Sequence, residues 1–377
     1  MGIRASARVV LGAAVSFGML AMVPGVALAA SPACGDTITS NTTLSADMDC
    51  SGYAGDALSF GANKITLNLN GHTITGPAGY DGYSGIDTDG YKKGTITNGT
   101  IANYTYGVDL DSSNRMTVSK LTISGENDGS DSGIYLYGGV SNVINKVTVT
   151  GVEDGLYLED GASTQVTNNT VSATDDGLYA EYETADTISN NKFTADNAVY
   201  DDYSQRQTYS NNTAVGTTYG FYLDCDGYGK VTLSGNTANN TTSYGFYVYE
   251  CYDDANYAGG PGTGSQITGN TANNGDYGFY DYYGYNEVWK NNTANDNSGY
   301  GFYFEYSASA KATGNTALRN DEGFYLEENY SYENFYDFSS NTAKKNTDYG
   351  FYAEYGTPGS GNVAKKNGTN CYNVDCN

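Results

Sequence analysis

A single histidine, His72, stands in the whole chain. That excludes histidine-rich metal centres and leaves nucleophile–histidine catalysis dependent on one residue. Positive charge is nearly as scarce: 18 Lys and Arg face 43 Asp and Glu, for a net charge of -25. A surface so acidic repels phosphate backbones and anionic lipid, which excludes nucleic acid as a partner, and it attracts cations, basic proteins or cationic glycans. Past residue 29 no apolar run reaches the length of a membrane span. Helical periodicity is missing too. Gly, Asn, Thr and Tyr dominate, and Gly and Asn disfavour helix interiors.

Against these absences stands one cassette, written about ten times. It is Gly, an apolar residue, Tyr, a small or apolar residue, then an acid or Tyr: Gly155-Leu156-Tyr157, Gly177-Leu178-Tyr179, Gly220-Phe221-Tyr222, Gly245-Phe246-Tyr247, Gly278-Phe279-Tyr280, Gly301-Phe302-Tyr303, Gly323-Phe324-Tyr325 and Gly350-Phe351-Tyr352 are copies. Gly133-Ile134-Tyr135 and Ala198-Val199-Tyr200 vary it, and Gly85-Ile86-Asp87 and Gly107-Val108-Asp109 lack the Tyr. The basic period is about 22 residues, the mark of a stacked repeat array. Between cassettes runs a column of Asn (Asn169, Asn191, Asn212, Asn236, Asn270, Asn292, Asn315, Asn341), preceded by an apolar column that includes Val166, Tyr209 and Trp289.

Short strands joined by turns, with inward residues stacked coil on coil, make a β-solenoid. A single coil cannot bury its own apolar face; stacking at about 4.8 Å gives a continuous core and pairs the backbone groups. The Asn turns are expected to take a left-handed backbone and to form an amide ladder. Trp289 reads as core and His72 as a turn residue after Asn70-Gly71.

Residues 1–29, with Arg4 and Arg8 ahead of an apolar run and Ala27-Leu28-Ala29 at its end, read as a signal peptide, so the protein is expected to be secreted and extracellular. Six cysteines in an oxidising compartment allow fifteen pairings. Neighbour pairing would tie Cys34 to Cys50, Cys225 to Cys251 and Cys371 to Cys376. The domain plan is a cap segment at 30–55, repeats at 56–365 and a disulfide-closed end at 366–377.

These motifs resemble right-handed parallel β-helix proteins of the pectate-lyase-like superfamily. The resemblance implies an all-β, right-handed parallel β-helix of about 12 coils, and a Gly-initiated strand on the sheet that lines the substrate groove in β-helix enzymes. The catalytic motifs of polygalacturonases with this fold do not carry over. Asn346-Thr347-Asp348 and Asp175-Asp176 occur in the wrong order, and Gly-His-Gly is absent.

Strand alternation turns each cassette Tyr and the residue two beyond it outward. The candidate ligand-binding residues are therefore Tyr222, Asp224, Tyr247, Tyr249, Tyr280, Tyr282, Tyr303, Glu305, Tyr325 and Glu327. A glycan groove would use phenol rings against sugar faces and carboxylates on hydroxyls, whereas a purely structural Tyr ladder would need no ligand. Acids stacked on neighbouring coils, such as Glu305 and Glu327, match the carboxylate spacing of retaining glycosidases at about 5 Å, and would also recruit Ca²⁺. No other cofactor is expected. The leading expectation is a monomeric module binding extracellular polysaccharide or cell-surface glycan. A polysaccharide-active enzyme (glycoside hydrolase or lyase) and a structural surface protein are the alternatives. The insertion around Tyr252-Asp253-Asp254 and Gly259-Gly260-Pro261 is expected to leave the solenoid as a loop beside Cys225 and Cys251.

Overall fold

The computed structural model describes residues 31–77, 79, 82–125, 131–226, 229–252, 264–327 and 335–377. The expected signal peptide and most of the insertion after Tyr252 lie outside them. Every regular element among the described residues is a strand or bridge, and no helix is long and apolar enough to cross a membrane.

The strands wind into a parallel solenoid of about 14 turns, close to the expected 12. Each full turn lays one strand on each of three faces. The cassette face carries strands such as Tyr244–Tyr249 and Tyr277–Tyr282, the second face Gln266–Thr268 and Val288–Lys290, the third Thr271–Asn273 and Thr293–Asn295. Every pairing is parallel and joins equivalent repeat positions: Phe246 with Phe279, Ile267 with Trp289, Ala272 with Ala294.

The ends extend this pattern. Asp36–Ile38 pairs with Leu58–Phe60, Thr42–Thr43 with Leu67–Asn68, and Met48–Asp49 with Ile74–Thr75, so the segment expected as a cap is itself the first coil. At the other end Thr369–Cys376 pairs with the last cassette strand and closes the stack. The three disulfides are those of neighbour pairing, Cys34–Cys50, Cys225–Cys251 and Cys371–Cys376.

The cassette glycine is required by distance rather than by its torsion angle. A Cβ on Gly278 would stand 2.5 Å from the carbonyl oxygen of Gly301, and one on Gly245 2.7 Å from that of Gly278. Behind it the inward aromatic residues form a buried stack from Phe221 through Phe246, Phe279, Phe302 and Phe324 to Phe351, with ring centroids 4.7–4.9 Å apart. Trp289 is fully buried and meets Phe279 and Phe304 edge-on.

The amide ladder is present, with one correction. Asn191, Asn212, Asn236, Asn270 and Asn292 are buried, and each donates from Nδ2 to the Oδ1 of the next at 3.0–3.1 Å. The left-handed backbone belongs to the residue just before each ladder Asn: Asn190, Asn211, Gly235, Gly269 and Asn291. Two tasks expected of one residue are thus divided between neighbours. One turns the corner and the other satisfies the backbone groups that the corner leaves open. A second ladder, Asn297–Asn320–Asn346–Asn367, repeats the device where the third face turns back to the cassette face.

The core also contains acids. Asp201 and Asp281 occupy inward positions of the cassette strands, and Glu183, Asp186 and Glu287 line the corner beyond. Burial pushes Asp201 and Asp281 up to about 7, and burial together with the charge of Asp186 pushes Glu183 to about 10. Each has polar company: Tyr209 donates to Asp201, Ser307 to Asp281, and the Trp289 indole to Glu287 at 2.7 Å.

Candidate functional site

Alternation along each cassette strand sets the site. In Tyr244–Tyr249 the two residues after the glycine run buried, then half-exposed, and the pattern recurs in Tyr277–Tyr282, Tyr300–Glu305 and Glu322–Glu327. The candidate residues all fall on this face, half-exposed, in two parallel columns. Tyr222, Tyr247, Tyr280, Tyr303 and Tyr325 pair rung to rung, and beside them so do Asp224, Tyr249, Tyr282, Glu305 and Glu327.

The Tyr column is a continuous ring stack. It runs from Tyr135 through Tyr157, Tyr179, Tyr200, Tyr222, Tyr247, Tyr280, Tyr303, Tyr325 and Tyr352 to Tyr372, with successive centroids 4.5–5.8 Å apart. The consequence is geometric. Within the stack each ring covers its neighbours' faces, so the column offers solvent its edges and hydroxyls. Flat stacking of a sugar on an interior rung, as expected from sequence, has no open ring face to use.

The second column is coupled to the first by hydrogen bonds. Tyr157 donates to Glu159 at 3.1 Å and Tyr179 to Glu181 at 2.9 Å within one coil, whereas Tyr280 donates to Glu305 and Tyr303 to Glu327 one coil on. Partial burial and these carboxylates hold the phenols protonated far above their ordinary range at Tyr280 and Tyr303. Tyr249, beside Glu250, is pushed up to about 12, by desolvation first. Asp224 is raised by burial, and its neighbour Asp202 is pushed up to about 6 by burial and by the charge of Asp224.

A third column, immediately before each cassette glycine, was not among the expected site residues. It holds Asp154, Asp176, Tyr219, Tyr244, Tyr277, Tyr300 and Glu322. Desolvation first, then neighbouring acids, pushes Asp154 up to about 6 and Asp176 and Glu322 to about 7. Asn197 donates to Asp176 at 3.0 Å. Asp154, Asp175 and Asp176 bring a carboxylate oxygen each within 4.8 Å of one another, a set of hard oxygen donors. The sequence signal was available: a polar or aromatic residue precedes the glycine in coil after coil.

His72 lies away from these columns. Its Nδ1 stands 3.2 Å from Asp47, in the turn made by Asn70 and Gly71. All six cysteines are in disulfides, which befits an oxidising extracellular or envelope compartment.

Comparison with known proteins gives the following. The sequence model of a family described as periplasmic copper-binding protein (NosD) matches residues 34–223 and 130–259, and that of the right handed beta helix region matches 258–376. No curated protein sequence matches the chain. Among solved structures, the A-module of Azotobacter vinelandii mannuronan C-5 epimerase AlgE6 is similar at 11% identity and TM-score 0.53, over 89% of this chain and 91% of that one. Pectate lyase Pel9A is similar at 14% identity and TM-score 0.41, over 72% of each chain. The Streptococcus pneumoniae surface protein and adhesin PfbA is similar at 11% identity and TM-score 0.39, over 78% of this chain and 88% of that one. At 11% identity the likeness to the epimerase A-module is one of fold alone.

Proposed function

Because this chain belongs to the family described as periplasmic copper-binding protein (NosD) and folds as a right-handed parallel β-helix, we propose a role on its cassette face: recognition of an extracellular glycan. The observation that carries the reading is the registry of three outward columns. Phenol edges, carboxylates and a flanking row of Tyr and acids repeat coil after coil on one sheet. Such a surface donates through hydroxyls and accepts through carboxylates at a spacing of about 4.8 Å, which suits an extended chain of hydroxylated units. The protein acts as a secreted monomer in this reading.

Copper, the metal in the family's description, is not part of the proposal. Copper prefers imidazole and soft sulfur ligands. Here the cysteines are all oxidised, Met48 and Met116 are buried, the Met116 sulfur accepts from the Gly94 amide, and His72 is alone. The donors on the face are hard oxygens, so any ion it took would be of the Ca²⁺ kind.

A second reading rests on Asp154 and Asp176. Their carboxyl groups titrate near neutrality and stand on adjacent coils, the condition for one to act as general acid while the other is ionised. This would make the face a polysaccharide-active site.

The deciding experiment is a glycan array on the mature protein with and without Ca²⁺, followed by product analysis on each hit. Binding without turnover, lost in a Tyr247→Ala/Tyr280→Ala variant, is the expected result. Turnover abolished by Asp176→Asn would favour the enzyme, and absence of any glycan hit would refute both readings.

A further inference from the structure

The tyrosine stack has a chemistry that does not depend on any ligand. Successive rings overlap face to face: Tyr200 and Tyr222 lie 4.5 Å apart with planes 3° from parallel, Tyr325 and Tyr352 4.6 Å and 10°, Tyr157 and Tyr179 4.7 Å and 17°, Tyr222 and Tyr247 4.8 Å and 6°. At Tyr157, Tyr179, Tyr280 and Tyr303 the hydroxyl already donates to a carboxylate, a built-in acceptor for the phenolic proton. The phenol edges reach solvent.

Competing oxidisable groups among the described residues are withdrawn. Trp289 and Met116 are fully buried and Met48 nearly so, and each cysteine is spent in a disulfide. An oxidant arriving at the surface therefore meets tyrosine.

We infer that this ladder is a site of oxidative modification, in which a peroxidase-class oxidant using hydrogen peroxide converts neighbouring rungs to phenoxyl radicals that couple into dityrosine links between successive coils. Each of two phenols gives one electron to the oxidant and its proton to the adjacent carboxylate or to water. Hydrogen peroxide takes up two electrons and two protons, its O–O bond breaks, and two waters leave. The two radicals then form one bond between ring carbons ortho to the oxygens. Two ring C–H bonds break and two O–H bonds re-form as aromaticity returns. Stacked rings are arranged for this step, because the new bond forms along the direction in which the two π faces meet.

The product is a covalent staple across coils that, on this face, backbone hydrogen bonds and ring packing otherwise hold together, with the disulfide Cys225–Cys251 at one step. Unlike the disulfides, it would resist thiol reductants.

The test treats the protein with a haem peroxidase and hydrogen peroxide, and in parallel with a small photogenerated one-electron oxidant that has free access to the surface. Cross-linked peptides are then mapped by mass spectrometry after digestion. Expected are dityrosine links within single molecules joining rungs on consecutive coils, Tyr200 to Tyr222 and Tyr325 to Tyr352 foremost. The Tyr200→Phe/Tyr222→Phe variant keeps the stacked rings and should lose the links made through positions 200 and 222 while retaining those of the other rungs, Tyr325 to Tyr352 among them. Glu305→Gln/Glu327→Gln should slow oxidation of Tyr280 and Tyr303 several-fold relative to Tyr200. Oxidation that follows exposure, with Tyr336 at 62% and Tyr182 at 51% reacting first, would overturn the inference, as would links formed mainly between molecules.

Discussion

Tyr209 donates its phenolic hydrogen to Oδ2 of Asp201 at 2.8 Å, and both side chains lie inside the solenoid. The carboxyl is nevertheless pushed up to about 7, because the loss of solvent outweighs what Tyr209 and Ser204 contribute to its charged form.

The pH dependence of stability follows. Below the ordinary value of 3.8 both the folded and the unfolded protein hold the Asp201 proton. As pH rises past that value the unfolded chain releases it while the folded protein keeps it, so stability falls until about pH 7 and then levels for this group. Asp281 acts over the same window, and Glu183 extends the decline towards about 10. At about 1.4 kcal/mol per pKa unit, Asp201 alone accounts for a few kcal/mol. Thermal midpoints measured by circular dichroism should fall from pH 4 to pH 9, and Asp201→Asn should flatten the early part of the slope. A midpoint that rises over this range would refute the assignment.

Asn270→Ala should be costly well beyond its size. It removes the Oδ1 that accepts from both the backbone amide and Nδ2 of Asn236, and the Nδ2 that satisfies the Leu233 carbonyl. Each buried group left without a partner costs about 1–3 kcal/mol, so urea unfolding should show a loss of several kcal/mol. A loss under about 1 kcal/mol would mean that water replaces the amide.

For the cassette glycine the expected defect is local. Gly278→Ala presses a methyl group against the Gly301 carbonyl, so the coils must part there. Overpacking of this kind costs about 1–3 kcal/mol, and hydrogen exchange should quicken at the Tyr277–Tyr282 and Tyr300–Glu305 strands before it does elsewhere.

An ultraviolet titration separates the tyrosines. The phenols of the cassette face are held above the usual 10, with Tyr135 in the stack and Tyr244 beside it at about 12, by desolvation first and then by neighbouring charge. Native protein should ionise only a fraction of its 38 tyrosines near pH 10, with the rest released on unfolding. Full ionisation near pH 10 in the folded state would contradict the stack.

Most of the solenoid is legible in the chain because its physics is periodic. The cassette fixes one strand, the Asn column a corner, and alternation the outward Tyr222 and inward Phe221. Alternation also placed Asp201 and Asp281 inside. The cassette otherwise fills that position with a small or apolar residue, and the surrounding Tyr209, Ser307 and Glu287 explain why a carboxyl is tolerated there. The left-handed corner was read one residue late, since Asn190 and Asn191 are the same residue type with different duties. The covered faces of the Tyr rings depend on the distance between coils, which no single repeat contains, so the site's chemistry was harder to read than its position.

The stretch from each ladder Asn to the following cassette keeps a nearly constant length, whereas the stretch from cassette to ladder varies from Gly278–Asn292 to Gly245–Asn270. Among the coils that carry the Asn ladder, growth of the repeat is thus confined to one corner, next to the column that holds Asp224, Tyr249 and Glu305. The Asn ladder acts as a ratchet: it re-establishes the register after any insertion, so a descendant of this chain can acquire new sequence at the border of its outward face while inheriting the core unchanged.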